Sequence, residues 1–323
     1  MKKPLPPLGK GILLFLAAAL LLPLFIPYIP PKGVSSLENA MQPDSRTVEI
    51  NGVNLHYIES GEGDTLILLL HGFGASTFSW RAVIEPLTAF GQVVAYDRPA
   101  FGLTERPLPR NYMWTPGNPY DEQANIDYVI GLIDYFGAEK AVLIGNSAGG
   151  RVALATAVAY PERVQALVLV DSVGGAGSRS SLFNVLLKLP QVRAIGPYAV
   201  RGISSSGVDT IYRAWYDPSL VTEEIVEGYK LPLQVENWDR ALFEFTAAGS
   251  RPDLVEDFDR LTMPVLVLSG DDDRIVPVET AIELAGQIEG SELVIFENCG
   301  HVPQEECPAA FMENVGAFLA GMQ

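Results

Sequence analysis

Six short, nearly unbroken apolar runs constrain this chain most: Thr65–Leu70, Val93–Tyr96, Ala141–Ile144, Leu167–Val170, Val265–Leu268 and Leu293–Phe296. A strand with one wet face alternates polar and apolar residues. A run that is apolar throughout belongs to a strand covered on both faces, the habit of parallel sheets sandwiched between helices. Helix-patterned stretches lie between the runs, at Trp80–Phe90, Glu122–Phe136, Ala148–Ala159, Glu279–Gln287 and Ala309–Ala320. Thr47–Ile50 and Asn54–Glu59 flank Asn51-Gly52, a two-residue hairpin signal. The pattern predicts an α/β fold with a mostly parallel central sheet flanked by helices.

The alternation fails between Asp171 and Met263, where no parallel-strand run occurs. The stretch opens with Gly174-Gly175-Ala176-Gly177 and continues into apolar and aromatic sequence. It predicts a helical cap over residues 173–258, inserted into a core of residues 46–172 and 259–323. Ligands of open α/β sheets bind outside the carboxyl ends of the strands, so a cap there would roof the site. Trp215, Trp238 and Phe243 are its candidate substrate-binding residues, although for each taken singly a place in the cap's own core is the favoured reading.

The charge excludes one class of partner. The 323 residues carry a formal net charge of −17, whereas a nucleic-acid binder needs a basic face that releases counterions. The first 40 residues run the other way, with Lys2, Lys3, Lys10 and Lys32 against Glu38. Residues 11–31 are uncharged and would rise roughly 31 Å as a helix, enough to cross a bilayer core. Residues 1–32 are therefore expected to be a signal-anchor or transmembrane segment, followed by a linker at 33–45. The lysines before it predict a cytoplasmic N-terminus and a translocated catalytic domain. Cleavage and secretion is the alternative, with Val34-Ser35-Ser36 as the nearest weak cleavage site. The stretch 178–215 carries five cations against Asp209 and is a candidate to rest on an anionic membrane. Cys299 and Cys307, eight apart, are expected to be unpaired thiols, although an oxidising compartment would let them join.

The chemistry centres on Gly145-Asn146-Ser147-Ala148-Gly149-Gly150, between a buried strand and a helix. A serine on so tight a turn needs small neighbours and projects Oγ above the sheet. Serine is a poor nucleophile without a base beside it. Of three histidines, His56 falls in the hairpin and reads as a surface or hairpin residue, and His71 follows a buried strand, where it would brace the loop. His301, in the loop between the last strand and last helix, remains as the base. The acid that fixes its tautomer is expected from Gly270-Asp271-Asp272-Asp273, with Asp273 first and Asp171 second. The three consecutive acids lack metal-ligand spacing with histidine, and no metal or organic cofactor is expected. Backbone N–H groups of Ala148 and of Phe73, between Gly72 and Gly74, are placed to form an oxyanion hole.

Ser147, Asp273 and His301 in that chain order, with the His71–Gly74 loop and the inserted cap, resemble the α/β-hydrolase fold family over about residues 46–322. Tyr96-Asp97-Arg98-Pro99-Ala100-Phe101-Gly102 is similar to a loop of that family in which glycine is common at position 100. A serine at 147 argues against the branches that use aspartate there. The resemblance implies a cap after the sixth strand, and it extends to lid-bearing esterases and to carbon–carbon bond hydrolases of aromatic degradation. The first expectation is a membrane-anchored serine hydrolase of apolar carboxylic esters working through an acyl-enzyme. The second is a carbon–carbon bond hydrolase of the meta-cleavage-product type. A third class, a binding protein on a hydrolase scaffold that has lost turnover, is set against the intact triad residues.

Overall fold

The computed structural model describes residues 18, 21–110, 114, 117–177, 182–249 and 251–322. Among them eight strands form one sheet: β1 (Arg46–Ile50), β2 (Val53–Ser60), β3 (Leu66–Leu70), β4 (Gln92–Tyr96), β5 (Ala141–Asn146), β6 (Val164–Val170), β7 (Val265–Gly270) and β8 (Glu292–Phe296). Their spatial order is β1-β2-β4-β3-β5-β6-β7-β8. β2 is antiparallel to both β1 and β4, and all other pairings are parallel. The first hairpin therefore turns at Asn51-Gly52, both at positive φ. Five of the six apolar runs fall where two-sided burial demands them, with Leu66–Leu70 no more than 2% exposed; the sixth, Leu293–Phe296, forms the edge strand β8, where only Phe296 is buried.

Helices α1 (Glu122–Tyr135), α2 (Ala148–Ala159), α3 (Leu182–Leu187), α4 (Pro190–Val200), α5 (Ile203–Ala214), α6 (Glu223–Lys230), α7 (Trp238–Ala248), α8 (Val278–Gln287) and α9 (Pro308–Ala320) complete the frame. Separate apolar clusters lie on the two faces of the sheet, one against α1, α2 and α8 and the other against α9 and Trp80. The expected helix at Trp80–Phe90 is instead a broken series: a 3-10 turn at Thr77–Trp80, a short helix at Ile84–Leu87 and a second turn to Phe90. Pro86 causes the break. It has no N–H to give to the preceding turn, so a helix can only start just before it.

The chain between β6 and β7 is helical, α3 to α7. Residues 27–40 pack on it. Tyr28 Oη donates to Asp239 Oδ1 at 2.7 Å, Tyr198 Oη donates to Pro27 O at 2.9 Å, and Ser35 bridges to Val235. Two cations of the basic stretch are paired within the insertion, Arg201 with Asp239 at 2.8 Å and Arg193 with Glu244 at 3.3 Å. Most of the expected anchor lies outside the described residues. Among the described residues no helix is long and apolar enough to cross a membrane. What is described of the segment is a 3-10 turn, Leu22–Phe25, whose Pro23 sits in the first turn.

The cysteines depart from expectation. Cys299 and Cys307 form a disulfide, with Cα atoms 6.4 Å apart. The chain doubles back through a one-turn helix, Pro303–Glu306, and this return brings the two thiols together. A spacing of eight residues carries no trace of that turn.

Candidate active site

Ser147 ends β5 and caps α2 with φ 54° and ψ −118°, a conformation that L-residues rarely hold. Two glycines make the turn possible. A Cβ on Gly145 would stand 2.6 Å from Gly149 O, and one on Gly149 would stand 2.1 Å from Leu70 O. Helix α2 is thus pressed onto the end of β3, and Ser147 stands at the carboxyl edge of the sheet beside the loop after β3. A Cβ on Gly72 of that loop would meet Ser147 Cβ at 3.2 Å.

The other two residues reach the same edge from elsewhere in the chain. His301 Nδ1 and Asp273 Oδ2 are 2.6 Å apart, with both side chains buried. Asp273 is held from behind, its Oδ1 accepting from the N–H groups of Ile275 (2.7 Å) and Val276 (2.9 Å). His301 N donates to Ala214 O of the insertion at 2.7 Å. Asn146 Nδ2 donates to His301 O at 3.0 Å, so the residue before the serine ties the histidine loop to β5. That role was invisible in the motif, where Asn146 read only as a small polar neighbour.

Asp171, the second acid candidate, lies beside Asp273 but faces β7. Its Oδ1 accepts from Ser269 Oγ (2.9 Å) and Gly270 N (3.0 Å). Burial, followed by the charge of Asp273, pushes its carboxyl well above the usual range. The histidine's partner is therefore Asp273. Oxygen atoms of the two aspartates and a ring nitrogen of His301 lie within 4.8 Å of one another.

The remaining histidines divide. His71 braces its loop as expected: Nε2 accepts from Arg98 N at 2.9 Å, which leaves Nδ1–H to donate to Gly72 O at 2.8 Å. Burial above all, and then Arg98, lowers it to about 3, so the ring stays neutral. His56 is not a surface residue. It is 3% exposed, with Nδ1 2.7 Å from Asp97 Oδ2 and Nε2 2.8 Å from Ser45 Oγ. Burial would raise Asp97, but His56, His71 and the N–H of Leu103 together hold the carboxyl low. Asp97 also accepts from Thr77 N and Leu103 N, which fixes the loop carrying Ala100 and Phe101. Ala100 sits at φ 79°, the reason glycine suits that position.

A cavity of ≈ 210 Å³ is lined by Ser147, His301, Phe73, Trp215, Trp238 and Leu242 among others. Two of the three proposed pocket aromatics are therefore on its wall. Phe243 packs instead against Leu187 and Ala247 inside the insertion, its ring against Gly196. The physical reason is helical phase: Trp238 and Leu242 share one face of α7, and Phe243, one residue on, points away. Phe73 is half-exposed and stacks in T-shape on Phe101 (5.4 Å) while lying 5.9 Å from Phe245 of the insertion. Lys230 is the one permanent cation among the described lining residues, and it pairs with Glu227 at 3.0 Å.

A serine at a strained strand–helix turn and an aspartate-oriented histidine at the same sheet edge define a hydrolase site on an α/β scaffold. The chain belongs to the alpha/beta hydrolase family, whose model matches residues 67–314. It is 29% identical to the 2-hydroxy-6-oxo-2,4-heptadienoate hydrolase of Pseudomonas putida over 297 residues, covering 85% of this chain and 96% of that protein. Names of the same kind recur among further curated relatives at 29–31% identity. A meta-cleavage product hydrolase from Pseudomonas fluorescens superposes with TM-score 0.69 at 27% identity, over 86% of this chain and 98% of its own. A solved membrane phospholipase A has TM-score 0.63 and 26% identity, over 98% of this chain and 97% of its own.

Proposed function

We propose that this chain is a serine hydrolase in which Ser147 attacks a carbonyl carbon of a substrate with an apolar acyl part. The observation that carries this reading is that His301, paired with Asp273, lines the same apolar cavity as Ser147. His301 Nε2 takes the Ser147 proton as the bond to carbon forms, and Asp273 stabilises the imidazolium. The N–H groups of Phe73 and Ala148 stabilise the tetrahedral oxyanion. His301 then returns the proton to the leaving group, and water releases the acyl group by the same steps in reverse.

Two bonds fit this chemistry. The carbon–carbon reading is the better supported by kinship, because several curated relatives are named as hydrolases of 2-hydroxy-6-oxo dienoates or of 2-hydroxymuconate semialdehyde. The leaving group is then an enolate carbon that accepts the proton. The ester reading is supported by the cavity, whose walls are mostly apolar and whose one cation among the described residues is already paired. The membrane phospholipase A adds to it, since the likeness extends over 98% of this chain. Residues 173–258 act in either case as a cap that excludes water.

The membrane attachment rests on the uncharged stretch 11–31 and on Leu21, Leu22, Phe25, Ile26 and Ile29, all about half-exposed or more. The Cys299–Cys307 disulfide supports a catalytic domain on the oxidising, far side of that membrane.

The test is turnover by full-length protein and by Ser147→Ala, with p-nitrophenyl esters from short to long acyl chains and with a 2-hydroxy-6-oxo-dienoate followed by its colour. Serine-dependent loss of the dienoate without ester turnover selects the carbon–carbon reading, and the reverse selects the ester. Turnover of neither, by protein that a fluorophosphonate does not label, overturns the serine mechanism. Alkaline carbonate releasing the protein from membranes would overturn the anchor.

A further inference from the structure

A second cavity, of ≈ 350 Å³, shares Phe73 with the first and is also lined by Ala148, the residue after the nucleophile. Its walls differ in kind, for Arg98, Arg151 and Arg251 line it together with Asp121 and Glu122. The two acids are already engaged. Glu122 takes Arg151 in a two-pronged pair at 2.9 and 3.1 Å, and Asp121 caps α1 by accepting from Ala124 N at 2.8 Å. Arg151 is completed by the carbonyl oxygens of Gly175 and Pro252.

Arg98 is the exception. It is 2% exposed, and its Nε and Nη2 are buried without any hydrogen-bond partner. Its guanidinium faces the Phe101 ring at 5.4 Å, a contact that offers no acceptor oxygen. Arg251, partly buried on the same wall, makes no ion pair among the described residues. Burial lowers Arg98 to about 10, and the charge of Arg251 adds to the effect. A charged guanidinium with two of its nitrogens removed from water and left without acceptors is strongly unfavourable unless an anion completes it. Its planar fork matches the paired oxygens of a carboxylate or a phosphate.

We propose that this cavity is an oxyanion subsite in which Arg98 and Arg251 hold a carboxylate or phosphate carried by the substrate, beside the bond that Ser147 attacks. The inference deepens the serine-hydrolase reading and rests on it. The apolar cavity takes the acyl part of the substrate, and the arginine cavity takes its fixed negative charge.

Binding is read first on full-length Ser147→Ala, so that no turnover is needed. Its Tm is followed against inorganic phosphate, acetate and chloride at matched ionic strength. Saturable stabilisation by phosphate or by acetate beyond that by chloride is expected, and which of the two binds tighter identifies the oxyanion. Adding Arg251→Gln is expected to weaken it at least tenfold. Arg98→Met removes a fully buried side chain and can fail to fold, so Arg251→Gln carries the decision. Kinetics follow with p-nitrophenyl butyrate and 4-butyryloxybenzoate, one acyl group with a neutral or an anionic leaving group, and with a monoacylglycerol against its phosphate. Arg251→Gln is expected to lower the anionic-to-neutral ratio of kcat/KM at least tenfold in the pair whose anion the subsite takes, chiefly through KM. Equal Tm shifts with all three anions, or an unchanged ratio in both pairs, overturn the subsite. Oxyanion binding that Arg251→Gln abolishes, in a protein that turns over no substrate and whose Ser147 form a fluorophosphonate does not label, upholds the subsite and refutes the serine-hydrolase reading instead.

Discussion

Asp273→Asn tests the site most sharply, because the structure dictates how the amide must sit. Oδ1 of Asp273 accepts two backbone N–H bonds, from Ile275 and Val276. An asparagine must place its carbonyl oxygen there, since an NH2 would leave both donors facing a donor. The NH2 then points at His301 Nδ1, which has to accept, and the ring proton moves to Nε2. A ring protonated at Nε2 cannot take the proton of Ser147. The wrong tautomer in a triad of this type lowers kcat by about 10⁴-fold, or about 5.4 kcal/mol at 1.36 kcal/mol per tenfold. The assay is kcat/KM on whichever substrate Ser147 turns over, with the fluorophosphonate labelling rate as a second readout of nucleophile activation. Urea unfolding is run alongside and is expected to show only a small change, since the backbone bonds are kept. Activity within tenfold of wild type in a folded Asp273→Asn protein would refute the assignment of Asp273 as the orienting acid.

Asp171→Asn, by contrast, is expected to stay within about threefold in kcat/KM, because burial pushes the carboxyl towards its neutral form and an amide oxygen can accept from Ser269 Oγ and Gly270 N as it does. Since folding raises this carboxyl, the wild type binds more protons folded than unfolded and loses stability as pH rises from the unfolded value through the folded one. The variant lacks that loss, so urea titrations at pH 4 and pH 8 are expected to show it gaining on wild type at the higher pH. Gly149→Ala drives a methyl to 2.1 Å from Leu70 O; it is expected to cost at least the ~3 kcal/mol upper end of overpacking, seen as a lowered Tm with loss of activity. Replacing Cys299 and Cys307 by serine opens a loop of eight-residue separation that contains His301, with an expected loss of about 2.5 kcal/mol from loop entropy. Unchanged Tm of the wild type on adding dithiothreitol would contradict it.

The sheet was legible because two-sided burial leaves a mark in sequence: strands such as Leu66–Leu70 must be apolar at every position. Ser147 was legible for a related reason, since a strained turn under a close-packed helix admits only small neighbours, here Gly145 and Gly149. His301 followed from scarcity, as one of three histidines. What the chain could not announce were relations between residues far apart in it. His56 is a hairpin residue as read, opposite Thr47, but its burial against Asp97, 41 residues on, left no mark in the local sequence. Cys299 met Cys307 only because a helical turn reversed the chain. Phe243 differed from Trp238 only in which side of α7 faced the cavity. Arg98 stood in a loop motif with no hint that its guanidinium would be buried without an acceptor. Local sequence settles which backbone a segment can adopt, through sterics and the period of its apolar residues. Burial, pairing and charge at a site depend on what the rest of the chain brings to it, and packing alone decided that.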